Sequence, residues 1–188
     1  MKYFILYDTE FTCWEGSLER NWNGKNEYRE IIQVSALKID EHFEIVEKIN
    51  TMVLPIINPD LSEYCLNLTG LQQEDINQGN NYSDFNKQFN RFTDFGNINC
   101  WSWGNDVGVL YENDKINNTE LSNYKKNHFD LRDIFMKKNI DIGTASSGQL
   151  ARHFGITLDG HIHNAEYDTL SLYHSVLKFK EKINKYLY

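Results

Sequence analysis

The sequence is poor in cysteine, and the few cysteines exclude two classes of protein. Cys13, Cys65 and Cys100 are odd in number and none of them belongs to a C-x-x-C pair. This pattern argues against a disulfide framework and against a zinc site, and it is typical of proteins from a reducing compartment. We therefore expect a cytoplasmic protein.

Positive charge is also scarce. The chain has 19 Lys and Arg residues against 27 Asp and Glu residues, which gives a net charge of −8. Such a chain binds duplex DNA or anionic membranes poorly through non-specific attraction. It can still be a nucleic-acid enzyme, because a pocket of carboxylates and metal ions can take one strand end without a broad basic surface.

Long apolar runs are absent as well. No stretch has membrane-spanning length and the start does not show a signal-peptide pattern, so we expect no membrane partner. What the chain does have is 188 residues, of which 40% are hydrophobic and 14% aromatic. This is enough for one packed core, and we expect a single domain over 1–188.

Two acids follow the first predicted strand. Apolar and aromatic residues fill positions 3–7, and Asp8 and Glu10 come directly after them. Because alternate residues of a strand point to the same face, the two carboxylates emerge side by side. Two close anions repel each other unless a cation lies between them, and Mg²⁺ prefers carboxylate oxygens. The two acids are therefore a candidate divalent-metal site, and the alternative is a strand that simply ends in a polar loop.

Strands at the front of the chain and mixed elements behind it predict an α/β domain. Further strands are expected at 30–39, 44–54, 98–104 and 128–131, with the first three strands of the chain forming an antiparallel meander. Helices are expected at 61–67, 72–77, 83–94, 106–115, 131–138, 146–154 and 164–184. We expect Ser83 to cap the third helix, and Val107, Leu110 and Tyr111 to face the core.

Other polar groups lie at the edges of these predicted elements. Asp106 follows the fourth strand at the start of a helix that Asn105 can cap, and His163 and Asp168 flank the start of the last helix with H-x4-D spacing. His163 and Asp168 can reach one cleft only if His163 precedes the last helix or lies in its first turn. His161 is the neighbouring alternative to His163.

Taken in order, these motifs resemble the DEDDh 3′–5′ exonucleases of the ribonuclease H-like fold. The first motif is Asp8-Thr9-Glu10 and the last is His163-Asn164-Ala165-Glu166-Tyr167-Asp168. Residues 55–65, the segment Leu68-Thr69-Gly70-Leu71 and Trp14 are similar to a subgroup that includes the histone-mRNA and RNA-interference 3′-exonucleases and the bacterial sporulation-inhibitor-like exonucleases.

The second motif departs from the pattern of that subgroup. There it often reads Trp-Gly, two residues, then Asp, whereas here Asp106 follows Gly104 after one residue and Val107 stands at the ungapped position. We take Asp106 as the second-motif acid, with Asp114 as the alternative.

The resemblance implies a ribonuclease H-like domain with a mixed central sheet flanked by helices. It implies two Mg²⁺ or Mn²⁺ ions held by Asp8, Glu10, Asp106 and Asp168, with His163 as general base. The expected activity releases 5′-mononucleotides from the 3′ end of single-stranded RNA, or of DNA as the less favoured substrate. The residues implied around the terminal nucleotide are Phe11, Thr12, Trp14, Leu68 and Thr69. The alternatives are a DNA-directed exonuclease of this fold and a catalytically inactive nucleic-acid-binding relative.

Overall fold

The computed structural model describes residues 1–119 and 126–188, and within them five strands form one mixed sheet. The strands are Tyr3–Phe11 (β1), Ile31–Asp40 (β2), Ile45–Met52 (β3), Asn99–Ser102 (β4) and His128–Asp130 (β5). Their order across the sheet is β3-β2-β1-β4-β5. All five lie where the sequence predicts them.

The pairing of the strands brings two strand ends together. β1 pairs antiparallel with β2, and β2 antiparallel with β3, which confirms the predicted meander. β4 instead runs parallel to β1, and β5 parallel to β4. Because parallel strands end at the same edge of a sheet, the acids at the end of β1 and the segment after β4 meet at one edge.

Seven helices flank the sheet in the described part of the chain. They are Glu63–Thr69 (α1), Gln73–Asn77 (α2), Tyr82–Phe92 (α3), Asp106–Ile116 (α4), Leu131–Lys137 (α5), Ser147–His153 (α6) and Ala165–Ile183 (α7). Each overlaps its predicted range. None of the described helices combines the length and the apolar character that crossing a membrane requires.

The predicted cap of α3 was wrong. α3 begins at Tyr82, so its N-cap is Asn81, whose side chain accepts a hydrogen bond of 2.9 Å from the backbone N–H of Asp84. Ser83 already lies inside the first turn. Asn and Ser are both favoured caps, and the sequence alone could not rank two candidates two residues apart.

The predicted inward face of α4 was only partly right. Leu110 is buried, but Val107 and Tyr111 are half-buried, and Asn105 precedes α4 without a side-chain capping bond. The buried positions of α4 are Asp106, Val109, Leu110, Asn113 and Asp114. They follow the helical period, but three of the five are polar, so a search for apolar residues alone selects the wrong stripe.

Alternation along β1 separates two cores. Phe4 and Leu6 pack in the core that holds side chains of α5, α6 and α7, whereas Ile5 and Tyr7 pack with α3 and α4. The same alternation directs Asp8 and Glu10 toward the face of α7, and Thr9 toward the face of α4. The sheet therefore sends the two acids of the first motif to the side from which α7 supplies its own.

Candidate active site

A pocket of about 240 Å³ opens at the edge where β1 and β4 end. It is lined by Asp8, Thr9, Glu10, Phe11, Arg29, Trp103, Asn105, Asp106, Val109, Ser147, His163 and Asp168. All five residues predicted as catalytic, which are widely separated in sequence, therefore lie around one cavity. Three of the acids, Asp8, Asp106 and Asp168, are buried.

Asp106 is tied to β1 by its own carboxylate. The Oδ1 atom accepts hydrogen bonds from the Thr9 backbone N–H at 3.1 Å and from the Thr9 hydroxyl at 2.7 Å. The alternative acid, Asp114, does not line this pocket. Asp114 lies two turns further along α4 and accepts hydrogen bonds of 3.2 Å from the Tyr82 hydroxyl and from the Asn86 amide.

Asp168 is fixed from two sides. Its Oδ2 accepts a hydrogen bond of 2.9 Å from the Ser147 hydroxyl, and its Oδ1 accepts one of 3.2 Å from the backbone N–H of His163. Gly148 permits this approach, because a Cβ at that position would lie 2.2 Å from Asp168 Oδ1. The start of α6 therefore needs a residue without a side chain where it meets the carboxylate.

His163 lies before α7, which is one of the two positions that its spacing to Asp168 allows. The N-cap of α7 is Asn164, and His163 adopts a left-handed backbone conformation with φ of 69° immediately before it. This conformation is uncommon for a residue with a side chain. Ligand atoms of Glu10, His163 and Asp168 lie within 4.8 Å of one another.

Gln33 holds the start of α7 against the sheet, and sequence reasoning missed it. It pairs with Glu10 across β1 and β2, and its Oε1 accepts a hydrogen bond of 2.9 Å from the backbone N–H of Ala165. Its amide nitrogen donates to the side chains of Asn50 at 3.1 Å and Asn164 at 3.4 Å. The available signal was a polar residue inside an otherwise apolar stretch of strand.

Burial and mutual repulsion disfavour charge on the acids. Burial is the largest cause that raises the pKa values of Asp8, Glu10 and Asp106, and neighbouring carboxylates raise those of Asp8 and Glu10 further. Burial also raises the pKa of Asp168 to about 6, against hydrogen bonds that lower it. Four carboxylates with this repulsion form a donor set that hard divalent cations fit, since a cation offsets the unfavourable charge.

Burial also disfavours charge on His163, but for a base this shifts the pKa in the opposite direction. Burial lowers the pKa of its imidazole, and the nearby His161 lowers it further. The neutral imidazole is therefore favoured near physiological pH, which is the form that accepts a proton.

Of the five residues predicted around the terminal nucleotide, Phe11 lines the pocket and the other four do not. Thr12 and Thr69 are buried, and their hydroxyls donate to the backbone carbonyls of Tyr28 at 2.5 Å and Cys65 at 2.8 Å. Leu68 packs against the small core below α1 and α2, which contains Cys13, Cys65 and Ile76. Trp14 is half-buried outside the pocket lining.

Trp22 is the aromatic residue that sequence reasoning missed. Its ring meets that of Phe11 edge-on, with centroids 5.4 Å apart, and its indole N–H donates to the Thr12 carbonyl at 3.0 Å. The loop after β1 thus folds back against the pocket. Nothing in the local pattern around Trp22 signals this contact.

A family model described as exonuclease matches residues 5–174 of the chain. Curated relatives include the ERI1 exoribonuclease 2 of Xenopus laevis, which is 34% identical over 79 residues, 42% of this chain and 10% of the relative. The 3'-5' exonuclease eri1 of Schizosaccharomyces pombe is 34% identical over 85 residues, 45% of this chain and 27% of the relative. The matches thus span about a quarter or less of these relatives.

Solved structures share the fold at low sequence identity. The nuclease domain of 3'hExo, described as a DEDDh family member bound to rAMP, has a TM-score of 0.80 at 18% identity, covering 96% of this chain and 92% of that chain. Cell-death related nuclease 4 has a TM-score of 0.80 at 16% identity, covering 96% and 64%. E. coli Exonuclease I in complex with an oligonucleotide has a TM-score of 0.71 at 14% identity, covering 98% and 42%. The predicted ribonuclease H-like fold is confirmed.

Proposed function

The chain belongs to the exonuclease family, and from this premise we propose that residues 1–188 form one 3′–5′ exonuclease domain that uses divalent metal ions. The observation that carries the proposal is the meeting of Asp8, Glu10, Asp106, His163 and Asp168 around one pocket. The proposed substrate is single-stranded RNA with a free 3′ end, and the proposed product is a 5′-mononucleotide. The names of the curated relatives, which include exoribonucleases, favour RNA over DNA.

Asp8, Glu10, Asp106 and Asp168 are the residues that would hold two Mg²⁺ or Mn²⁺ ions. When bound, such ions promote deprotonation of water and stabilise negative charge on the leaving oxygen. Hydrogen bonds within the chain orient two of these carboxylates before any cation binds. Thr9 orients Asp106, and Ser147 with the His163 backbone orients Asp168, so these two carboxylates need little rearrangement on binding.

His163 is the proposed general base. Its imidazole lines the pocket within 4.8 Å of ligand atoms of Glu10 and Asp168, and burial lowers its pKa. A neutral ring in this position can take a proton from the attacking water near neutral pH. The hydrogen bond from its backbone N–H to Asp168 Oδ1 fixes the position of His163 relative to that acid.

Phe11 is the proposed surface for the terminal base. Phe11 lines the pocket, and the Trp22 ring packs edge-on against the Phe11 ring. Aromatic faces stack on any base and contribute about 1–3 kcal/mol per base, without sequence preference. Contacts from Thr12, Trp14, Leu68 and Thr69 to the nucleotide stay predictions, and the two threonine hydroxyls already donate to backbone carbonyls.

The test is incubation of the purified protein with a 5′-labelled single-stranded oligoribonucleotide and Mn²⁺, with and without a chelator. We expect stepwise shortening from the 3′ end that the chelator stops, and that Asp8→Asn abolishes. A circular RNA or one with a blocked 3′ end should stay intact. Cutting of the circle would refute the exonuclease proposal, and absence of any cleavage would favour the inactive relative. A matched DNA strand measures the preference for RNA.

A further inference from the structure

Arg29 is a cation at the rim of a pocket built from acids. It lies just before β2, and among the described residues that line the pocket it is the only lysine or arginine. Its side chain is 21% exposed. In a chain with a net charge of −8, a fixed cation beside an acidic pocket is a candidate contact for an anionic ligand.

Contacts with three residues, Glu112, Trp22 and Asn113, fix Arg29 in place. Its Nε donates to Glu112 Oε2 at 2.9 Å, and its Nη2 donates to Glu112 Oε1. Its guanidinium carbon lies 5.6 Å from the centre of the Trp22 ring. The amide of Asn113, which is buried in α4, donates to the Arg29 carbonyl at 2.7 Å and accepts from the Ile31 backbone N–H at 3.0 Å.

These contacts leave part of the guanidinium available. Nη1 makes no hydrogen bond within residues 1–119 and 126–188, so it can donate to an incoming group. Glu112 is 40% exposed, so solvent screens the charge of the pair. The two hydrogen bonds to Glu112 fix the plane and the orientation of the guanidinium. A planar, oriented guanidinium matches the oxygens of a phosphate.

We propose that Arg29 binds a backbone phosphate of the single-stranded substrate at the mouth of the pocket. The inference rests on the proposed function for the class of substrate. The polyanionic strand must approach a cluster of four carboxylates, and Arg29 supplies local attraction at the point of entry. Phe11, Trp22 and Arg29 then form a continuous row in which an aromatic surface for a base lies beside a cation for a phosphate.

The test compares Arg29→Gln with Arg20→Gln. Arg20 is the matched control, because it is also paired with a glutamate, Glu27, but lies outside the pocket lining. Both substitutions remove one positive charge. Binding of a 5′-labelled single-stranded oligoribonucleotide is measured by fluorescence anisotropy with Ca²⁺ over a series of salt concentrations. Melting temperatures of both variants are measured alongside, and Arg29→Lys provides a second variant that keeps the charge.

Arg29→Gln should weaken binding by roughly 10- to 100-fold, as expected for the loss of a charged hydrogen bond. The slope of log affinity against log salt should become shallower by about 0.7, the value for one phosphate contact on a single strand. Arg29→Lys should retain the slope but bind more weakly than the unmutated protein, since an ammonium lacks the planar fork. Arg20→Gln should leave both quantities nearly unchanged.

Strands that carry one uncharged methylphosphonate linkage locate the contact. The difference between Arg29→Gln and unmutated protein should vanish when the linkage that Arg29 contacts is neutral, and persist for every other position. Equal losses for Arg29→Gln and Arg20→Gln, or a difference that no linkage removes, would overturn the inference. If the unmutated protein binds the strand but never cleaves it with Mn²⁺, the proposed activity fails while the test of Arg29 stands.

Discussion

Replacing Asp168 by Asn should stabilise the metal-free protein near neutral pH, although it removes a proposed metal ligand. Asp168 is 2% exposed and lies among the other acids of the pocket. In the absence of metal its charge is unfavourable, because burial raises its pKa from 3.8 to about 6. A neutral amide of the same shape removes that cost.

The structure sets the size of the effect. A pKa difference of about two units corresponds to roughly 3 kcal/mol at a pH above both values. Asparagine keeps one acceptor oxygen, so either the Ser147 hydroxyl or the His163 backbone N–H loses its partner, at a cost of about 1 kcal/mol. The net gain should be about 2 kcal/mol, or a rise in melting temperature of roughly 4–8 °C for a chain of this length.

The gain should depend on pH in a definite direction. The pKa of Asp168 is higher in the folded state than in the unfolded state, so its contribution to stability is present below pH 3.8 and is lost as the pH rises through about 6. The advantage of Asp168→Asn should therefore be absent near pH 4 and complete above about pH 7. At pH 4 the variant should be slightly less stable, because of the lost hydrogen bond.

Urea unfolding of both proteins in chelator, from pH 4 to pH 8, measures this difference directly. Asp159→Asn is the control, since Asp159 is exposed and lies outside the pocket. Mn²⁺ should then raise the melting temperature of the unmutated protein more than that of Asp168→Asn, because a ligand that binds only the native state stabilises it. A variant that is less stable than the unmutated protein at every pH would refute the argument from burial and repulsion.

Three further outcomes test the same site. His163→Ala should reduce turnover by roughly 10²–10⁴-fold and largely preserve the stabilisation by metal. His161→Ala should retain most activity, and a severe loss only in His161→Ala would reverse the assignment of the general base. The rate of the unmutated enzyme should rise with pH through a value below the ordinary imidazole pKa of 6.5, since burial lowers the pKa of His163, and a rise centred well above 6.5 would contradict this. Gly148→Ala should abolish the rise in melting temperature with metal, because the added Cβ displaces Asp168. Gly155→Ala is the control. It should lower stability, because φ at Gly155 is +74°, but it should keep the rise with metal, since no atom lies within 4 Å of the added Cβ.

Local patterns in the sequence predict the positions of the strands and helices. Each strand and helix could be placed because alternation along strands and helix-start residues depend on near neighbours. The predicted cap of α3 and the predicted inward face of α4 needed correction, because neighbouring residues allowed more than one answer at both places. Asn81 and Ser83 are equally good caps, and the buried stripe of α4 contains Asp106, Asn113 and Asp114 beside its apolar residues.

In the candidate site as well, local patterns place some residues, and contacts with distant segments place the others. Local sequence is enough to predict that Asp8 and Glu10 share a face, because alternation along a strand is a property of the backbone. It also restricts His163 to a position before the last helix or in its first turn. The position of Asp106 in the pocket, by contrast, depends on hydrogen bonds from Thr9, 97 residues away along the chain.

Which polar residues support the pocket depends on contacts between distant segments of the chain. Gln33 contacts the start of α7 across 132 residues, and Arg29 meets Glu112 across 83. A local pattern states whether a side chain faces the core or solvent, but it does not name a partner from a distant segment. The partners of Gln33, Arg29 and Trp22 are set by how the strands pair and how the loop after β1 folds back, and those depend on the packing of the whole domain.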